Sequence, residues 1–257
     1  MRHSVRFAFG ALCLLLGGGQ LDAQQHAFRQ FSTKDGLAQS QVRAMAQDEL
    51  GYLWFGTLGG ASRFDGRQFV NYALSDGLPD PQVSAMVRDA NGTLIMGSGS
   101  ALVYRAKDKL VVEHLPQTSQ GARVMALVAD ERGNTFVGTD GGGVFLRDSA
   151  GIKPLPGYPN DTASGVRSLL LLRNGRLLIG LRNGLIVWDR GNSREIKVGS
   201  DEPKAINALA EGRDGSWWVG TVLDGLYRID PRRQPLRKAH DTPVISTTQD
   251  DAKPMQN

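Results

Sequence analysis

A pair of glycines five residues apart recurs five times along the chain, and that recurrence constrains the fold more than any other feature. The pairs bound the segments Gly51-Tyr-Leu-Trp-Phe-Gly56, Gly92-Thr-Leu-Ile-Met-Gly97, Gly133-Asn-Thr-Phe-Val-Gly138, Gly175-Arg-Leu-Leu-Ile-Gly180 and Gly215-Ser-Trp-Trp-Val-Gly220. Their second glycines are spaced 41, 41, 42 and 40 residues apart. A fixed period of this length marks a repeat architecture, in which each unit buries its apolar surface against its neighbours.

Within each period the pattern is that of short strands. Nine residues before each first glycine stands a β-branched residue, namely Val42, Val83, Val124, Val166 and Ile206, which opens an apolar stretch. The first glycine then falls in a tight turn, often after an aspartate (Asp48, Asp89, Asp130, Asp214), and the four residues between the glycines make a second strand. Runs such as Leu53-Trp54-Phe55 and Leu177-Leu178-Ile179 are apolar on both faces, as in a strand covered from both sides. A third strand follows at 61–64, 101–104, 143–146, 185–188 and 225–229, and a fourth is clearest at Phe69-Val-Asn-Tyr72. Four antiparallel strands per forty-odd residues predict an all-β chain, a β-propeller of about five blades. The 32 glycines and 11 prolines suit a fold with that many turns.

Residues 1–23 stand outside the repeat. Arg2, His3 and Arg6 precede the apolar run Phe7 to Leu16, and Ala23 offers a cleavage point, the layout of a secretory signal peptide. Export to the periplasm or beyond is expected. Cys13, the single cysteine, lies in that run, so the mature chain has no thiol for a disulfide, a metal site or a nucleophile. The net charge of +4 loses two arginines and one aspartate with the leader. So small an excess, in an exported chain, argues against nucleic acid as a partner. The cluster Arg232, Arg233, Arg237, Lys238 reads as solvated surface.

The wording of the repeat resembles a known family. Asp-Gly-Leu at 35–37 and 76–78, Gly51-Tyr-Leu-Trp-Phe-Gly-Thr57 and Arg63-Phe-Asp-Gly66 are similar to the two-component regulator propeller repeat. The resemblance extends over about residues 28–230 and is strongest in the first repeat. It implies the periplasmic sensor region of a bacterial receptor that continues into a membrane helix and a histidine kinase or diguanylate cyclase. Those output parts have no counterpart in this sequence. Phe28-Arg-Gln-Phe31 reads as an outer fourth strand without a blade, and Val244 to Asp250 as a first strand without successors, so the ring is expected to be incomplete. The expected domains are a leader at 1–23, blades over 24–240, and the start of a sixth blade or a disordered tail at 241–257.

Chemistry-bearing motifs are few. His3, His26, His114 and His240 form no close-spaced metal pattern, and no nucleophile elbow is present. Asp140-Gly-Gly-Gly143 lacks the Gly-Lys-Ser/Thr of a phosphate loop and reads as a turn. No cofactor or metal is expected. The aspartates before the turns are turn formers. Trp54, Trp217 and Trp218 are expected between blades rather than against a ligand.

Topology places the site. In an up-and-down blade, the connection between blades and the loop joining its second and third strands share one face. That face gathers Gln41, Gln82, Thr57, Asp140, Arg182, Asn183 and Asp224, with Ser98, Thr139 and Thr221 beside them. These polar residues are the expected contacts for a small-molecule or glycan ligand, or for a partner. A sensor or interaction propeller that is not an enzyme is the leading expectation. The alternatives are an exported propeller enzyme acting on polysaccharide and a non-functional fragment of a longer receptor.

Overall fold

The computed structural model describes residues 28–107, 109–116, 121–159, 165–199 and 202–232. The expected leader at 1–23, the cluster beyond Arg232 and the segment 241–257 lie outside them. Each repeat forms one antiparallel meander. The first sheet comprises β1 (Val42–Gln47), β2 (Leu53–Thr57), β3 (Gly60–Phe64) and β4 (Phe69–Tyr72). The second comprises β5 (Val83–Arg88), β6 (Leu94–Ser98), β7 (Ala101–Ala106) and β8 (Lys109–His114). The third comprises β9 (Arg123–Ala129), β10 (Thr135–Asp140), β11 (Val144–Asp148) and β12 (Gly151–Pro154). The fourth comprises β13 (Val166–Leu171), β14 (Leu177–Leu181), β15 (Gly184–Asp189) and β16 (Asn192–Ile196). In the fifth, β17 (Ile206–Glu211), β18 (Trp217–Thr221) and β19 (Leu226–Ile229) are described, three strands where four were expected. No helix among the described residues is long and apolar enough to cross a membrane.

The two glycines of each pair have different physical jobs. Gly51, Gly92, Gly133, Gly175 and Gly215 turn the first hairpin with φ between +81° and +87°, a left-handed conformation that side-chained residues avoid. Gly56, Gly97, Gly138 and Gly180 lie inside strands, and neighbouring sheets approach them too closely for a side chain. A Cβ on Gly56 would stand 2.9 Å from Val83 Cγ1, on Gly138 2.5 Å from Val166 Cγ1, and on Gly180 2.9 Å from Ile206 Cγ2; the approach of Val124 to Gly97 is closest. The β-branched residue opening one sheet is therefore a knob, and the second glycine of the preceding sheet is its hole. Both periodic signals in the sequence describe one interlock.

The core follows the interlocks. One buried cluster lies between each pair of consecutive sheets: Trp54, Val83 and Met96; Ile95, Val124 and Phe145; Phe136, Val166 and Ile179; Leu178, Ile206 and Trp217. Among the described residues, no further sheet covers the two ends. Val42, the knob of the first sheet, is 38% exposed, whereas Val83, Val124, Val166 and Ile206 are buried. Met45 on the same sheet is 71% exposed. At the other end a Cβ on Gly220 would meet only Ala208 of its own sheet, at 3.2 Å. Trp54 and Trp217 are buried between blades, whereas Trp218 faces away from the fourth sheet and is half-buried, with the Arg228 guanidinium 5.9 Å from its ring.

One local expectation needs correction, and the aspartates, turn formers as expected, vary in geometry. Residues 28–32 are irregular rather than an outer strand, and the Phe31 ring instead packs edge-on against Phe64 and Phe69 of the first sheet, at 5.0 and 5.8 Å. The turn aspartates are also less uniform than the sequence suggested. Asp48, Asp89 and Asp130 stand three residues before their glycines, and each accepts two backbone N–H bonds of 2.8–3.0 Å through one oxygen. That position is Leu172 in the fourth repeat and Gly212 in the fifth, where Asn174 and Asp214 each accept a single backbone N–H, from Arg176 and Ser216.

Candidate functional site

The strands β1, β5, β9, β13 and β17 open their sheets and contact one another in that order, so they form the inner rim of the array. Each carries an irregularity at the same register. The ladder skips between Val42 and Ala44, Val83 and Ala85, Val166 and Ser168, and Ile206 and Ala208, and in the third sheet Val124 pairs with Thr139 but Ala126 with Gly138. The skipped residues are Arg43, Ser84, Met125, Arg167 and Asn207. A bulge leaves one residue out of the ladder and re-aims its side chain, here on the free edge of the innermost strand. Five bulges at one level gather these side chains on the rim, at the end where β2 and its counterparts run into their following turns.

Hydrogen bonds join the layer across sheets. The Gln82 amide donates to Ser84 Oγ at 2.7 Å and accepts from Arg123 Nη1 at 3.4 Å, and Arg167 Nη1 donates to Asn207 Oδ1 at 3.4 Å. Asp140 receives Arg182 Nη2 of the next sheet at 2.6 Å. Lys204 pairs with Asp224 in the fifth repeat, and that carboxylate raises the lysine amine above its ordinary value against the opposing effect of burial.

The sequence-predicted residues divide accordingly. Gln82, Asp140, Arg182 and Asp224 are brought into these contacts, while Gln41 and Asn183 are exposed beside them. Thr57 is buried, and its hydroxyl donates to the Gly60 carbonyl and accepts the Gly59 N–H, which fixes the turn after β2. Thr139 and Thr221 make the same pair of bonds in their own turns. Ser98 donates to the Asp80 carbonyl and accepts the Asp80 N–H, tying the connection ahead of the second sheet. Arg43, Ser84, Arg123, Arg167 and Asn207 were missed. Their signal was present, since four of them follow the β-branched knob directly and Arg123 precedes it.

Comparison with known proteins bears on the same repeat. The two-component regulator propeller model matches residues 36–59, the stretch from the Asp-Gly-Leu turn through β2. The chain carries a two-component regulator propeller repeat. A histidine kinase P4 of Formosa agariphila is 48% identical over 42 residues, 16% of this chain and 3% of that protein. An extracellular domain assigned to a hybrid two component system of B. thetaiotaomicron superimposes with TM-score 0.62 at 25% identity, over 71% of this chain and 26% of that one. Virginiamycin B lyase of Staphylococcus aureus shares the propeller fold, with TM-score 0.60 at 15% identity over 74% of this chain and 66% of that one. The chain thus spans about a quarter of the two-component structure it resembles.

The regulator repeat explains its own motif. In Asp35-Gly-Leu37 the Asp35 carboxylate accepts the Ser32 N–H at 2.8 Å, Gly36 takes φ +103°, and Leu37 is buried. Asp76-Gly-Leu78 repeats it with the Ala73 N–H, Gly77 at φ +101° and a buried Leu78. Each motif closes a short 3-10 turn that anchors the connection leading to the rim.

Proposed function

We propose that the chain is the exported recognition propeller of a bacterial signal-transduction receptor, binding its ligand or partner at the inner rim rather than catalysing a reaction. The observation that carries this is the match of residues 36–59 to the two-component regulator propeller, in a chain whose fold is that of a two-component extracellular domain. The leader-like layout of residues 1–23 supports export. The rim supports recognition: four of the five bulged residues, Arg43, Ser84, Arg167 and Asn207, are polar and lie at one register of the innermost strands, with Arg167 bonded to Asn207 and Ser84 to Gln82. The histidine among the described residues, His114, is exposed at the end of β8 in the outer strand of its sheet, away from the rim. Signal output belongs, in this reading, to a kinase or cyclase in the same receptor.

The test is a thermal-shift screen of the purified chain against neutral and charged sugars and small organic acids. A compound that raises the melting midpoint, loses that effect with Gln82→Ala or Asn207→Ala, and is recovered unchanged supports recognition. Chemical turnover of the compound would overturn it in favour of an enzyme.

A further inference from the structure

The rim is cationic beyond what its neighbours neutralise. Arg43, Arg123 and Arg167 are all exposed, and among the described residues none has a carboxylate within ion-pair distance. Their side-chain hydrogen bonds among the described residues are the long ones from Arg123 to Gln82 and from Arg167 to Asn207. Among the described residues, Asp140, Asp224 and Asp80 of the same face already have partners. Asp140 stands opposite Arg123 in the ladder, yet its carboxylate is taken by Arg182, and Asp224 is taken by Lys204. Asp80 caps the Gln82 N–H, and Asp35 and Asp76 close the 3-10 turns at the outer side of the connections.

Two of the three arginines, Arg43 and Arg167, are the bulged residues of β1 and β13, so the backbone irregularity itself delivers them to the rim. A guanidinium presents a planar fork of N–H donors that matches a carboxylate or sulfate. Three forks without a carboxylate partner among the described residues, on three sheets, with Ser84 on the sheet between Arg43 and Arg123 and Asn207 on the sheet beyond Arg167, suit an anion carrying more than one oxyanion group and hydroxyls besides. We infer that the rim binds a polyanionic ligand, a carboxylated or sulfated saccharide or polyacid, through Arg43, Arg123 and Arg167. The inference rests on the rim being the recognition surface and names the charge of what it recognises.

The experiment is calorimetric titration of the full chain with inorganic sulfate, citrate, tetragalacturonate and the neutral maltotetraose. Binding of tetragalacturonate or citrate in preference to maltotetraose is expected, weakening as salt rises. Arg43→Gln, Arg123→Gln and Arg167→Gln should each lower affinity about tenfold, the scale of one lost charge-assisted contact. Their melting midpoints should stay at the wild-type value, because these side chains are exposed. Arg132→Gln, in the hairpin turn at the opposite end of the strands, should leave affinity unchanged. Sulfate binding as tightly as the saccharide would identify the oxyanion alone as the ligand and support the charge assignment. Equal binding of maltotetraose, insensitive to the three arginines but lost with Asn207→Ala, would overturn the anionic ligand while keeping the rim as the site. Binding unaffected by any rim substitution would overturn both.

Discussion

At the scale of single residues, the periodic glycines encode two constraints that only geometry separates. Gly133 turns a hairpin at φ +85°, and the nearest atom to a Cβ there would be Asn91 Nδ2 at 3.8 Å, so its cost is conformational. Gly138 receives Val166, so its cost is steric. Gly133→Ala should therefore destabilise by about 1–2 kcal/mol, the penalty of a left-handed residue with a Cβ. Gly138→Val should cost more, about 3 kcal/mol, through overpacking that shifts the fourth sheet. Denaturant midpoints of the two variants should fall in that order. Both glycine positions were legible in the sequence, as was the β-branched residue nine places before each pair. Their meeting was not, because the knob and its hole belong to different repeats.

At the scale of elements, the second strands were legible almost to the residue, since Leu53–Thr57, Leu94–Ser98, Thr135–Asp140, Leu177–Leu181 and Trp217–Thr221 contain or adjoin the segments between paired glycines. Outer strands were less so. Lys109–His114, Gly151–Pro154 and Asn192–Ile196 are half solvated and mix charge with apolar residues, which blurs the two-residue alternation. The bulges were harder to read for a related reason: the position after each β-branched knob is marked by its spacing alone and not by composition, so Arg43 and Arg167 read as ordinary strand residues. The hairpin aspartates were read correctly as turn formers. Asp130 satisfies the N–H groups of Arg132 and Asn134 and the Asn134 amide, at 2.7–2.9 Å. Asp130→Ala should lower stability by about 1–2 kcal/mol, the cost of stranding such donors. Asn174→Ala, which gives up a single backbone bond to Arg176, should cost less than half of that. Equal losses would show that the carboxylate is not what holds the turn.

At the scale of the whole molecule, the sheets behave as a line of units coupled to nearest neighbours, and stability is a sum of unit and interface contributions. The loop-face reading named Gln82, Asp140, Arg182 and Asp224 from blade topology alone, which decides which turns share an end, and in the structure they make the contacts between and within sheets described above. It could not foresee that Thr57 is consumed by its own turn, which depends on the buried contacts with Gly59 and Gly60. Among the described residues the end sheets have one such neighbour each: Val42 is 38% exposed, and the nearest atoms to a Cβ on Gly220 belong to Ala208 of its own sheet, where their counterparts interlock. Everything at the rim depends on that interlock, because it sets the sheets side by side and so brings five bulges to one level. A double-mutant cycle on Gly97 and Val124 tests it most directly. Gly97→Ala alone should destabilise, although alanine in a free strand position would be neutral or better. Val124→Ala alone should cost about 2 kcal/mol in lost burial and cavity. Together they should cost at least about 1 kcal/mol less than the two single losses combined, because the shortened knob makes room for the new methyl. Losses that add to within about 0.5 kcal/mol would mean the two residues do not meet, and the interlock would be wrong.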